Sequence, residues 1–316
     1  MNHKFKIRTD LAVEMEEDIH QKESDLQGIR VKQKRIPEGN ISVTKVEVIS
    51  EEGEKQIGKP RGVYITLESP ELARQTEGYH REMSAALSCY LKELIPENKQ
   101  PTKILVVGLG NKDATPDSLG PRVIDNLCVT RLIDDEVGNP EIFSGNNQYE
   151  VSAIATGVLA RTGMESAEIV RGLANEIHAD VVIAIDSLAA RNSSRLNSTI
   201  QISTTGIHPG SGVGNHRKGI TKETIGVPVI AVGIPTVIDA ATIVNDTFDN
   251  LIEILKMSGE NRHKILQGFT PEEKYELIKE LIDPELSEMY VTPKDVDATV
   301  KCISYTISEG LNIIFT

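Results

Sequence analysis

The chain contains no tryptophan, five phenylalanines and seven tyrosines in 316 residues. So few aromatics remove the stacking platform on which single-stranded nucleic acids are usually bound. Positive charge is also short: 34 lysines and arginines face 47 acids, a formal net charge of -13. A cationic face that releases counterions from a phosphate backbone is therefore excluded, and no direct nucleic-acid partner is expected. Long uncharged apolar runs are missing, which rules out a transmembrane helix. The first residues hold Lys4, Lys6 and Arg8 around a very short apolar patch, which is not a secretory signal, so a cytoplasmic protein is expected. Cys89, Cys128 and Cys302 lie far apart and form no CxxC pair. Neither a zinc knuckle nor a disulfide framework is indicated, and the three are expected to be buried small hydrophobes.

What is present is enough apolar material, 39% of the chain, for one large core or two small ones. Residues 15–40 are polar and highly charged without sustained periodicity and read as a loosely held arm. ISVTKVEVIS and RGVYITLES are alternating β-branched runs, and EEGEKQIGKP between them reads as a hairpin-like turn. HREMSAALSCYLKELI carries apolar residues at helical spacing. From Lys103 short apolar strands alternate with helices. KILVVGLG, VSAIATGV, VVIAIDS, STIQIS and VPVIAVGIP are the strands, and VIDNLCVTRLI, ESAEIVRGLANEIH and DAATIVNDTFDNLIEILK are the helices. That alternation predicts a three-layer α/β/α architecture of the hydrolase-like kind, with a mostly parallel central sheet covered on both faces. An N-terminal β-hairpin (11–70) extends a core over 78–257. Two Pro-initiated helices, TPEEKYELIKELI and PKDVDATVKCISYTISEGLNII, close the chain over 262–316.

In parallel sheets ligands gather at the carboxyl ends of strands. Three stretches fall there: GLGNKDATPDSLGP (108–121), Asp186 in DSLAAR, and GIHPGSGVGN (206–215). The spacing of Gly108 and Gly110 is not GxGxxG, so a tight turn explains them. Asp117 follows Pro116 near the start of a helix; an N-cap and a catalytic acid are both open there. Asp186 ends an apolar strand, and a buried carboxylate there has a raised pKa and needs a partner; a role in a crevice is preferred to satisfaction by the next turn. His208, in a loop of glycine and proline, is a solvated side chain, a proton carrier or a ligand. Its loop alternatively cradles an anion. Two acids, one neutral and one ionised, activate water against an amide carbonyl; two acids and a histidine can instead hold a divalent metal. Both constellations point to hydrolysis, and spacing does not choose between them.

One short stretch stays unexplained: RTDLAVE (8–14) sets Leu11, Ala12 and Val13 between Asp10 and Glu14. Together with VVGLGNKDATPDSLGP, IAIDSLAAR, GIHPGSGVGN, VGIPTVIDA and MYVTPKDVD, it resembles the germination (spore) proteases of spore-forming bacteria, over nearly the whole chain. The resemblance implies an autoprocessing endopeptidase zymogen that degrades small acid-soluble spore proteins in the spore core or forespore. It implies an atypical aspartic type, with essential aspartates at Asp117 and Asp186, supported by Gly110, Asn111 and His208, and no cofactor. Substrates of that family are cut between an acid and an apolar residue followed by Ala, a variable residue and an acid. Asp10-Leu11-Ala12-Val13-Glu14 repeats this order, so residues 1–10 are expected to be a prosegment cut off between Asp10 and Leu11, leaving 11–316 as one peptidase domain. The family usually assembles as a tetramer, while the region around KMSGENRHKILQGF looks shorter here than in better-known members. A more distant likeness to hydrogenase-maturation endopeptidases implies the alternative of a metal held by Asp117, Asp186 and His208.

Overall fold

A computed structural model describes residues 9–21, 28–73, 79–96, 101–131, 148–211, 217–244, 246–247 and 289–316. Its centre is a block of parallel strands rich in Val and Ile. Strand β4 (Thr102–Leu109) lies between β5 (Tyr149–Gly157) and β6 (Val181–Ala190), and β6 pairs on its other side with β8 (Val229–Asp239). The sheet then continues with antiparallel pairs: β7 (Thr199–Ser203), β3 (Gly62–Glu68), β2 (Ile41–Val48) and the edge strand β1 (Ile29–Ile36). A short ninth strand, Tyr290–Val291, pairs with the end of β8. The protein is thus α/β with a mixed, open sheet. The expectation of a mostly parallel one is corrected, because β7 runs against β8 and joins the N-terminal strands to the parallel block.

Alternation along the strands sends side chains to two cores. Ile104, Val106, Ile183 and Ile185 pack in one cluster with Met83 and Leu87 of helix α3 (Tyr79–Lys92), Leu119 of α4 (Leu119–Asp125) and Val300, Ile303 and Ile307 of the C-terminal helix Val296–Phe315. Leu105, Val107, Val182 and Ala184 pack in another with Ala167, Val170 and Ala174 of the helix Ser166–Glu176.

Three elements of the N-terminal third, two helices and the edge strand β1, differ from the sequence reading. Residues read as a loose arm (15–40) supply all but the first three residues of helix α1 (Ala12–Gln21) and the whole of β1. β1 has no buried residue, and its exposed lysines and arginines guard an edge against further pairing. The expected hairpin turn is helix α2 (Glu51–Ile57): Ser50 caps it by accepting from Gly53 N–H at 3.2 Å, and Gly58 ends it in the left-handed region at φ 67°. Helix α4 begins at Leu119 and stops at Asp125, earlier than VIDNLCVTRLI suggests. The three cysteines are not buried as expected: Cys89 and Cys128 are exposed and Cys302 is half-buried. The helix TPEEKYELIKELI, most of DAATIVNDTFDNLIEILK, residues 1–8 and 212–216 lie outside the described residues. No helix among the described residues is long and apolar enough to cross a membrane.

Candidate active site

The carboxyl end of β4 is pressed against the start of α4. A Cβ on Gly108 would stand 2.4 Å from Gly120 O, and one on Gly120 would stand 2.4 Å from Leu109 O. This contact leaves the turn between them no freedom and folds Asp117 back over Gly110. Gly110 adopts φ 107°, and a Cβ there would lie 2.0 Å from Asp117 O. The Asn111 N–H then donates to the Asp117 carboxylate at 2.8 Å and to its carbonyl at 3.0 Å. Asp117 is therefore not the helix cap, a position that Ser118 holds without a side-chain capping bond. Thr236 of β8, fully buried, ties the loop down by donating to Pro116 O at 2.7 Å.

Asp186 lies within β6 rather than at its end, 5% exposed. Its carboxylate accepts from the Ser187 N–H at 2.9 Å. Burial pushes its pKa well above the ordinary carboxylate range, and the Asp117 charge pushes it further. Burial also raises Asp117, against the Asn111 bond and the Arg217 guanidinium. Both acids line one cavity of about 240 Å³, room for a few waters and a side chain. Gly110, His208, Ser187, Arg217 and Asp10 share its wall. The Ser187 hydroxyl is buried there with no hydrogen-bond partner among the described residues. His208 is exposed, its ring lying over Gly219, where a Cβ would come within 2.6 Å of Nε2. Among the described residues no three His, Cys, Asp or Glu side chains could hold a metal ion, so Asp117, Asp186 and His208 do not fit one as placed.

The segment singled out by its order of acids and apolar residues sits against this cavity. Leu11 and Ala12 are fully buried and Val13 is 2% exposed. Leu11 and Val13 pack on Leu188 and Ile207, while Ala12 faces Val46, Val48, Ile57 and Tyr64. Asp10 exchanges bonds with β6: its N–H donates to Ala189 O at 3.2 Å, and its carboxylate accepts from Ala189 N–H at 3.0 Å and Ser211 Oγ at 2.8 Å. Glu14 is 3% exposed and accepts from the Arg191 and Asn192 N–H groups at 2.9 Å each. Both acids of the segment are thus held by main-chain amides of residues 189–192. Ser211 falls in the glycine-rich stretch 206–215 that the sequence marked, while Lys59, Gln201 and Arg217 carried no local sequence signal, since each reaches the site through tertiary pairing.

Paired, desolvated acids, one in the loop after β4 and one within β6, define a hydrolase-class site on an α/β sheet. Known proteins agree. The germination protease family matches residues 7–271. Germination proteases of Caldanaerobacter subterraneus (44% identity over 97% of this chain and 93% of the relative), Clostridium acetobutylicum (45% over 97% and 94%) and Priestia megaterium (38% over 98% and 93%) are similar along their length. The chain belongs to the germination protease family and is an endopeptidase, a hydrolase of peptide bonds.

Proposed function

We propose that the chain is a zymogen that initiates breakdown of small acid-soluble spore proteins by cutting after an acidic residue, and that it first cuts itself between Asp10 and Leu11. The observation that carries this reading is the docking of Asp10 at the cavity that Asp117 and Asp186 line, with Leu11 to Val13 buried beside it. The two carboxylates share one proton. Asp186, the more deeply buried, retains it as general acid; Asp117 is the general base. Asp117 takes a proton from water as the water oxygen adds to the Asp10 carbonyl carbon. Asp186 gives its proton to the Leu11 nitrogen as the C–N bond breaks, leaving a carboxyl group on Asp10 and a free amine on Leu11. The proton on the dyad has changed sides, and nothing else is consumed.

The finer architecture belongs to the same reading: helices on both faces of the sheet, giving three layers, with residues 11–316 as a single peptidase domain. By likeness to the family it acts in the cytoplasm of the forespore and spore core as a tetramer, with supporting roles for Gly110, Asn111 and His208. Intact mass before and after incubation tests the reaction. Residues 1–10 should be lost, faster as pH falls modestly below neutral, because rising pH ionises Asp186 and removes the acid. Asp117→Asn and Asp186→Asn should keep their full mass. Unaltered mass in the wild type, or processing in either variant at the wild-type rate, would contradict the reading.

A further inference from the structure

The acids account for the proton traffic but not for the negative charge that develops on the carbonyl oxygen. A second cavity meets the first at Asp10 and Leu188, and Lys59 and Gln201 line it. We propose that Lys59 and Gln201 are the donor pair that holds the scissile carbonyl oxygen during hydrolysis. This rests on the reading above, in which Asp10–Leu11 is the bond cut.

The geometry is specific to that bond. Asp10 O accepts from Lys59 Nζ at 3.0 Å and from Gln201 Nε2 at 2.9 Å. The other end of the same amide, Gln201 Oε1, accepts from Ala12 N–H at 2.6 Å. One glutamine side chain therefore pairs with the carbonyl before Leu11 and the N–H after it, fixing the peptide on both sides of the reacting bond. Gln201 is well placed to stay still. It lies in β7, 8% exposed, in register with Thr66 of β3 and Gly233 of β8. Lys59 is similarly aimed by its backbone, between the left-handed Gly58 that ends α2 and Pro60. It also reaches Thr9 O at 3.4 Å, one peptide upstream.

The remaining polar groups of Asp10 are already engaged. Its N–H and carboxylate are used by Ala189 and Ser211, so the carbonyl is the group left facing the lysine and the glutamine. When water adds to the carbonyl carbon, the carbon–oxygen π electrons move to the oxygen. That oxygen then carries a full charge beside an ammonium and an amide N–H, in a part-buried site. Donors fixed before the reaction stabilise such a charge more than they stabilise the neutral carbonyl, which is what acceleration requires. Collapse of the adduct returns the electron pair and expels the Leu11 nitrogen with the proton from the acid pair.

The test follows self-processing of the full chain by intact mass as a first-order rate, in wild type, Lys59→Met, Lys59→Arg, Gln201→Leu, Gln201→Glu and Asp186→Asn. Removing one such donor typically costs about 10²–10³ in rate. Lys59→Met and Gln201→Leu should each slow processing by that factor with melting temperatures close to wild type. Lys59→Arg, which keeps the positive charge, should recover most of the loss, a rescue that a merely structural lysine would not show. Gln201→Glu, which keeps the shape and loses the donor, should be as slow as Gln201→Leu, so a packing defect in the leucine variant cannot mimic the result. Wild-type rates in Lys59→Met and both Gln201 variants, with Asp186→Asn inert, would overturn the donor pair alone. Wild-type rate in Asp186→Asn would overturn the underlying reading.

Discussion

Asp186 carries a carboxyl group buried at a cost in stability. Its carboxyl is deeply buried, a single backbone N–H serves it among the described residues, and two other acids, Asp117 and Asp10, raise its pKa further. The native state therefore holds a proton there at pH values where the unfolded chain has released it. Stability must fall as pH climbs from the ordinary carboxylate pKa, near 3.9, through the raised native value. Asp186→Asn removes that slope, and its Oδ1 can still accept from Ser187. The variant should melt above wild type at pH 7 and match it near pH 3, as calorimetry across that range would measure. A gap that stays constant with pH would mean that folding leaves the Asp186 pKa where the unfolded chain has it. At this scale the sequence was partly legible. Asp186 stood out as an acid in an apolar strand. Asp117 did not separate from an N-cap until the turn showed its carboxylate bent back onto Asn111.

Elements explain why that turn is rigid. α4 approaches β4 and β6 with glycine at the crossing, and a Cβ on Gly120 would meet Leu109 O, Leu109 N and Ile185 O at 2.4, 2.5 and 2.7 Å. All three are main-chain atoms and cannot swing aside. Gly120→Ala should cost about 3 kcal/mol or more, beyond ordinary overpacking, and displace Asp117 as well. Chemical denaturation and processing rate should fall together; a stable, fully active variant would show that α4 is free to shift. Periodicity revealed the parallel strands and the longer helices α3, Ser166–Glu176 and Val296–Phe315 because their apolar faces are long. It missed α2, whose seven residues bury only Gly53 and Ile57, although Ser50 and Gly58 mark its ends. It missed β1 because an edge strand with no buried residue has no apolar alternation to read. Nothing local could reveal that β7 runs antiparallel, since all five of its residues are buried whichever way it points.

On the scale of the whole molecule, the N-terminal segment links regions far apart in sequence. Arg195 binds Glu17 of α1 at 2.6 Å and Glu68 at the end of β3 at 2.7 Å, and lies 3.6 Å from Glu14. Burying Leu11 and Val13 contributes roughly 3–6 kcal/mol. Fixing the backbone of the four residues Leu11 to Glu14 costs about 4–8 kcal/mol. The two nearly cancel, so hydrogen bonds and the Arg195 cluster decide whether the segment stays. Leu11→Ala should shift that balance by about 2–5 kcal/mol toward release. It should slow self-processing while lowering the apparent KM for an acid-Leu-Ala-x-acid peptide supplied in trans. An unchanged KM would separate the docked segment from the substrate path.

That near-cancellation carries a consequence for turnover. If the bond after Asp10 is cut, Leu11 to Glu14 remain tethered through α1 to the groove they already fill. A short tether holds its cargo at an effective concentration in the millimolar range. Any protein arriving from solution must then outcompete a resident product, so abundance of the substrate, as much as its sequence, would determine when degradation gathers speed.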